Sequence, residues 1–140
     1  MDKGYACYCG LYCGNCPMKL KVNPAAKVLY DEIRNAGFDR VVLTFPGGDS
    51  FWNILEMTAV KMVCTSCREG SGDPECAVRI CAKEKGVEMC ALCTEHPCEH
   101  IGKLYATGHP TLEKDNILLR DKGWEEWGKV QDERCNAAKR

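Results

Sequence analysis

The sequence lacks the features of a secreted, membrane-spanning or disordered protein. Its amino terminus has no basic start followed by an apolar run, and no stretch approaches the ~20 apolar residues that cross a bilayer. It has no low-complexity tract, and its 45% hydrophobic and 28% charged residues are ordinary for a globular chain. We therefore expect a cytoplasmic protein with no membrane partner, folded as a single domain over residues 1–140.

Catalytic motifs are also missing. The chain has no HExxH helix, no phosphate-binding loop, no nucleophile elbow and no deaminase-type His-x-Glu pattern. Its 3 histidines are His96, His100 and His109. A metal-dependent hydrolase or transferase would need a general base, and the candidates are Glu88, Glu95 and Glu99. We rank this function lowest, because acidic residues beside cysteines are more often solvated surface.

The charge pattern gives no sign of a nucleic-acid partner. The formal net charge is −1, and each ion bound by four thiolates would add about −2. Basic side chains are scattered or interleaved with acids, whereas a phosphate-binding surface needs them clustered on one face. They include Lys19, Lys21, Lys27, Lys83, Lys85, Lys139 and Arg140. We interpret these residues as solvated surface and expect no broad nucleic-acid binding.

Cysteine is the residue that the sequence has in excess. Of 12 cysteines, eleven lie in two stretches, between Cys7 and Cys16 and between Cys64 and Cys98. The pairs CGNC, CTSC and CALC have the spacing with which two thiolates bind one ion from a tight turn. Reducing compartments disfavour structural disulfides, and disulfide scaffolds rarely repeat this spacing. The pattern therefore predicts bound metal.

The distal cysteines suit a tetrahedral zinc site. In CALCTEHPC, Cys90 and Cys93 form a knuckle, and Cys98 lies just inside the next helix. The positive end of a helix dipole stabilises a thiolate in that position. Three ligands are therefore assigned, and the sequence leaves the fourth open among Cys81, His96 and His100.

The middle cysteines allow two arrangements. Cys64, Cys67, Cys76 and Cys81 can close a tetrahedral site of their own, because the intervening Gly-Ser-Gly-Asp-Pro loop permits the chain to reverse. Alternatively, Cys81 joins the distal site and the middle site takes a ligand from the amino-terminal cluster. The second arrangement would pin the two cysteine regions together.

The amino-terminal cysteines are the least typical of zinc. Cys9, Cys13 and Cys16, followed by Pro17, also suit an iron–sulfur cluster held by three or four thiolates. Cys7 and Cys135 fit their neighbours least well. We interpret these two as candidate free thiols outside the metal sites, with Cys135 the stronger candidate.

Helical periodicity predicts a mainly α fold with little or no sheet, organised around cysteine-ligated metal. Asn23 is expected to cap a helix that ends near Ala36, and a second helix runs from Asp49 or Ser50 towards Cys64. Further helices are expected over residues 76–85, 97–108, 111–120 and 124–135, and residues 40–45 are a short strand or an extended connection. The apolar stripes of the first two helices are expected in the core: Val28, Leu29, Ile33 and Ala36, then Phe51, Ile54, Leu55, Thr58 and Met62.

The segments CGLYCGNCP, CTSCREG and CAVRICAKEKGVEMCALCTEHPCEHI resemble a bacterial and archaeal family of small cysteine-rich proteins, domain of unknown function 3795. The resemblance spans most of the chain and implies metal binding, above all of zinc, without an assigned activity. Cys7 and Cys135 lie outside the family pattern. The pattern is matched at Cys9, Cys13, Cys16, Cys64, Cys67, Cys76, Cys81, Cys90, Cys93 and Cys98.

Two functions follow from these patterns. The leading hypothesis is a zinc finger-like protein with two or three structural ions that serves as an interaction or regulatory module for an unidentified protein partner. The alternative is an iron–sulfur electron carrier or redox sensor, with its cluster at the amino-terminal cysteines.

Overall fold

A computed structural model describes residues 1–138 of the chain, and short helices dominate it. Lys139 and Arg140, assigned above to the solvated surface, lie outside the described residues. Across residues 1–138 no strand forms, and the β-structure is an isolated antiparallel bridge between Ala6 and Tyr12. The mainly α prediction is confirmed. The helices are α1 (Asn23–Asn35), α2 (Asp39–Val42), α3 (Gly48–Glu56), α4 (Ala77–Glu84), α5 (Glu99–Tyr105) and α6 (Leu112–Ala138).

The prediction of a strand or extended connection at residues 40–45 is wrong. Asp39–Val42 is a helical turn, and the chain continues in further turns. The Phe45 amide donates to the Val42 carbonyl at 3.2 Å, and the Gly48 amide donates to the Phe45 carbonyl at 2.9 Å. A lone extended segment would leave these backbone groups without a partner strand, whereas successive turns satisfy them locally.

The chain forms two compact units. The first unit combines Met1–Asn15 with the chain from Thr65 onward, and the second unit is Cys16–Cys64. The first unit is therefore built from two segments that are separated in sequence. None of the helices within residues 1–138 has the length and apolar character needed to cross a membrane.

The first unit has two small buried clusters. One surrounds Trp127, which is fully buried and packs edge-on against Tyr12 and Trp124 at centroid distances of 5.7 and 5.5 Å. The other contains Val78 and Ile101, with half-buried cysteines packed against it. Tyr12 and Trp127 are the aromatic side chains among the buried residues of the first cluster.

Gly123 interrupts α6. Its φ of 78° and ψ of −177° lie in a region that essentially only glycine adopts. The sequence pattern predicts two helices that flank this glycine, and the break confirms that prediction.

The second unit packs α1 against α3 through a face that matches the predicted one only in part. Tyr30 stacks on Trp52 at a centroid distance of 5.1 Å, and Leu55 is buried beside them. Val28 and Ile54, which the helical periodicity assigns to the core, are 63% and 66% exposed. Leu29, Ala36, Phe51 and Met62 are exposed as well, whereas Leu55 is buried as predicted and Ile33 and Thr58 are half-buried.

The buried face of α1 differs from its predicted apolar stripe because of how the helix begins. A wider helical turn, Met18–Val22, leads directly into α1, so Asn23 is already helical and does not cap the helix. Its side-chain amide instead donates to the Thr58 carbonyl at 2.7 Å. The buried positions of α1 therefore follow Asn23 through Ala26 and Tyr30 at intervals of three and four.

Candidate metal centre

A tight hairpin brings two amino-terminal thiols together. The bridge between Ala6 and Tyr12 pairs its arms, and the Cys7 amide donates to the Leu11 carbonyl at 2.8 Å. As a result the Sγ atoms of Cys7 and Cys13 lie 3.2 Å apart. The sequence pattern predicts that Cys7 lies outside the metal sites, yet its thiol lies against that of Cys13, a predicted ligand.

Gly10 makes the hairpin possible and lets Asn116 approach it. Gly10 has a φ of 104°, and a Cβ atom at this position would lie 2.0 Å from Asn116 Oδ1. Asn116 is fully buried and donates to the Cys9 carbonyl at 2.8 Å and to the Tyr105 hydroxyl at 2.9 Å. The backbone that carries Cys9 is therefore fixed by α6.

Cys7 is the centre of a four-thiol group. Its thiol forms hydrogen bonds with Cys13, Cys67 and Cys9, and together with burial these raise the pKa of Cys7 far above its ordinary value. The hydrogen bond with Cys7 also lowers the pKa of Cys9. We call Cys7, Cys9, Cys13 and Cys67 the Cys7 cluster. It joins the amino-terminal hairpin to the loop before α4.

Interactions with three residues favour the thiolate form of Cys67. The hydrogen bond with Cys7 has the largest effect, and the backbone of Tyr8 and the guanidinium of Arg79 act in the same direction. Together they lower the pKa of Cys67 to about 6 in spite of its partial burial. Of the cysteines in the cluster, Cys67 is thus well prepared to be a metal ligand, because the thiolate is the form that binds.

Arg79 is buried without a carboxylate. Only 6% of it is exposed, and it donates to the carbonyls of Ser71 at 2.9 Å, Cys67 at 3.4 Å and Asp73. Within residues 1–138 no carboxylate forms an ion pair with it. A buried cation that lacks an opposite charge is strongly unfavourable. The nearby thiol group is the available source of that charge.

Arg68 contacts both the amino-terminal hairpin and the segment that follows α4 in the first unit. Its Nε donates to the Ala6 carbonyl at 2.7 Å and its Nη2 to the Glu88 carbonyl at 2.6 Å. The guanidinium also lies 4.6 Å from the centre of the Tyr8 ring. A second positive charge therefore lies close to the backbone of the Cys7 cluster.

The distal cysteines form a second thiol group. Cys90 and Cys93 form a knuckle in which the Cys93 amide donates to the Cys90 carbonyl at 3.0 Å, and Cys98 is the residue that precedes α5. Burial, and then the charges of Cys98, Cys9, Cys81 and Cys93, raise the pKa of Cys90 to about 12. We call Cys81, Cys90, Cys93 and Cys98 the Cys90 cluster.

Among the predicted candidates for a fourth ligand of this cluster, Cys81 is the one whose charge acts on Cys90. His96 Nε2 is hydrogen-bonded to the Tyr105 hydroxyl at 2.7 Å, and His100 is exposed. Cys81 lies on α4 and interacts electrostatically with Cys90.

The remaining cysteines lie elsewhere. Cys16 and Cys64 are the first and last residues of the second unit. Cys76 precedes α4 and packs against the cluster around Val78. Cys135 packs against the aromatic cluster around Trp127.

These clusters are groups of neighbouring thiols without the geometry of a complete metal site. Over residues 1–138, no three or more Cys, His, Asp or Glu side chains are arranged so that they could hold an ion. None of the 12 cysteines, all of which lie in that range, forms a disulfide. Two thiolates on a tetrahedral zinc at ~2.3 Å are separated by ~3.8 Å. Cys7 and Cys13 would have to move apart by about 0.6 Å to bind one ion.

Comparison with known proteins identifies a family but no activity. No curated protein and no solved structure shows significant similarity to the chain. Residues 5–103 match a family described as a protein of unknown function, DUF3795. The match covers both thiol clusters, Arg68 and Arg79, and more than half of the chain. This protein therefore belongs to the DUF3795 family.

Proposed function

We propose that this protein binds zinc at its two cysteine clusters and that both ions are structural. The observation that carries the proposal is the convergence of three further thiols on Cys7, two from the same hairpin and one from a loop that is distant in sequence. Four thiolates in a small volume are a ligand set that suits zinc, which accepts tetrahedral sulfur coordination without redox chemistry.

The buried arginine supports a charged metal site. Zinc bound to four thiolates carries a net charge of about −2. Arg79 donates to backbone carbonyls and favours the thiolate of the neighbouring Cys67, and within residues 1–138 no carboxylate pairs with it, so such a site would supply the opposite charge for its guanidinium. A cluster of neutral thiols would leave the burial of this cation uncompensated.

The position of the Cys7 cluster explains why metal would be needed for folding. The first unit consists of two chain segments with small cores, and the Cys7 cluster lies where those segments meet. A structural zinc site contributes folding free energy on the order of 10 kcal/mol in small domains. Zinc would therefore take the place of a larger hydrophobic core.

The second unit supports a role in binding another protein in the cytoplasm. Several large apolar side chains are more than half exposed on it, whereas soluble proteins rarely keep large apolar patches without a partner. They include Val28, Phe38, Leu43, Phe45, Ile54 and Met62. We therefore assign the protein to interaction or regulation.

Single substitutions test the zinc proposal. Cys67→Ser should lower the zinc content of the full-length protein by about one ion per chain, because it removes a thiolate from the Cys7 cluster. Cys135→Ser is the matched control, since Cys135 packs in the aromatic cluster. Equal zinc content in the two variants and the unmodified protein would exclude the Cys7 cluster as a zinc site.

A further inference from the structure

We propose that Cys7 and Cys13 form a site of oxidative modification, at which a hydroperoxide converts the two thiols into a disulfide. The formation of this disulfide by the hydroperoxide is inferred from the arrangement of the two thiols and does not require bound zinc. A second consequence, the release of zinc from the Cys7 cluster, rests on the proposed function.

The hairpin holds the two sulfur atoms close to bonding distance. Their Sγ atoms are 3.2 Å apart, and a disulfide needs about 2.05 Å. The backbone on both sides is fixed by the bridge between Ala6 and Tyr12 and by the hydrogen bond from the Gly10 amide to the Cys7 carbonyl at 3.1 Å. Side-chain rotation can therefore close most of the gap without unfolding the hairpin.

The other thiols of the cluster are held in different ways. Cys67 interacts with the guanidinium of Arg79 and with the backbone of Tyr8. The backbone of Cys9 is anchored by Asn116. A disulfide between Cys7 and Cys9 would also close a small ring across a single intervening residue. Cys13 is thus the favoured partner for Cys7.

The burial of the two residues sets the order of the steps. Cys13 is half-buried, whereas Cys7 is only 7% exposed. The Cys13 thiolate attacks the terminal oxygen of the hydroperoxide, so that a sulfur–oxygen bond forms, the oxygen–oxygen bond breaks and the alcohol or water leaves. The Cys7 sulfur then attacks the Cys13 sulfenic acid, a disulfide forms and water leaves. Two thiols are oxidised and one hydroperoxide is reduced.

Oxidation removes two ligands from the proposed zinc site. A cysteine binds zinc as a thiolate, and a sulfur atom in a disulfide cannot serve as a zinc ligand in its place. Only Cys9 and Cys67 would remain in the Cys7 cluster. An external dithiol reverses the modification by thiol–disulfide exchange, in which the two cysteines are reduced and the dithiol is oxidised.

The test uses the full-length protein, purified with its metal and treated with an equimolar amount of hydrogen peroxide. Free thiols are then alkylated, trypsin cleaves after Lys3 and Lys19, and the peptides are analysed by mass spectrometry without reduction. We expect the peptide of residues 4–19 to lose the mass of two hydrogen atoms. Fragmentation should place the bond between Cys7 and Cys13. Zinc released during the reaction is measured with a coloured chelator.

The readouts separate the two proposals. A peptide pair joined between residues 4–19 and 62–68, a bond to Cys9 or Cys16, or no loss of mass would overturn the inference, whatever the zinc content. The Cys7–Cys13 bond without any bound zinc would support the inference and contradict the proposed function. Cys13→Ser should abolish the bond, whereas Cys135→Ser should leave it intact.

Discussion

The backbone amide of Cys90 donates a 2.7 Å hydrogen bond to the carbonyl of Tyr8. This bond joins the distal knuckle to the hairpin of the Cys7 cluster, between its residues Cys7 and Cys9. Cys9 is also among the residues whose charges raise the pKa of Cys90. The two thiol clusters are therefore neighbours, and a change in one of them should be felt by the other.

Removal of metal should unfold the first unit. A strong chelator is expected to abolish most of the helical circular dichroism of α4, α5 and α6, because structural zinc supplies folding free energy on the order of 10 kcal/mol per site. The measurement is a thermal melt with and without the chelator, followed by the return of zinc. If the metal is fully removed while helicity and melting temperature stay unchanged, the ions are not structural.

Arg79 should be required for tight zinc binding. Arg79→Met keeps an unbranched, though shorter, side chain but removes its charge and its hydrogen bonds, and we expect zinc affinity to fall about 10- to 100-fold. Arg79→Lys keeps the charge without the planar group and should recover part of that loss. The measurement is competition with a chelator of known affinity at one pH.

Arg40→Met is the control for this pair, because Arg40 is exposed on α2 in the second unit. It should bind zinc as the unmodified protein does. Zinc affinity that is equal in Arg79→Met and Arg40→Met would show that Arg79 does not compensate the charge of the site.

Gly123 should be intolerant of a side chain for conformational reasons alone. A Cβ atom at Gly123 meets nothing within 4 Å, yet its φ of 78° and ψ of −177° are essentially restricted to glycine. Gly123→Ala is therefore expected to lower the free energy of unfolding by about 1–3 kcal/mol. The measurement is urea denaturation at a fixed zinc concentration, since bound metal contributes to apparent stability.

Gly102→Ala is the matched substitution. Gly102 lies inside α5, has no positive φ, and its added Cβ would also meet nothing within 4 Å. Alanine favours a helix over glycine, so this variant should be as stable as the unmodified protein or more so by up to about 1 kcal/mol. Similar destabilisation of the two variants would contradict the conformational argument.

Local signals in the sequence predicted much of the helical structure. The helix expected over residues 76–85 is observed as Ala77–Glu84, and Gly86 follows it with a φ of 65°. Gly123 separates two helical segments as expected. These features depend on glycine conformation and on short-range periodicity, which neighbouring residues determine.

Features that depend on distant residues were missed. Cys7 has no ligand-like spacing of its own, and its contact with Cys67 arises only when the hairpin meets the loop before α4. Asn23 has the sequence signature of a cap, but a helical turn before it and the carbonyl of Thr58 give its side chain another role. The fold brings Cys67 to the amino-terminal thiols. The predicted arrangement in which the middle site takes a ligand from the amino-terminal cluster stays a prediction.

Elemental analysis for zinc, iron and sulfide is the most direct test of the central claim. The protein should be purified without oxygen or added metal, and its visible spectrum should be recorded on the same sample. We predict a colourless protein with about two zinc ions per chain, one for each four-cysteine cluster. Iron with matching sulfide and a visible absorption band would contradict the account and identify an iron–sulfur protein instead.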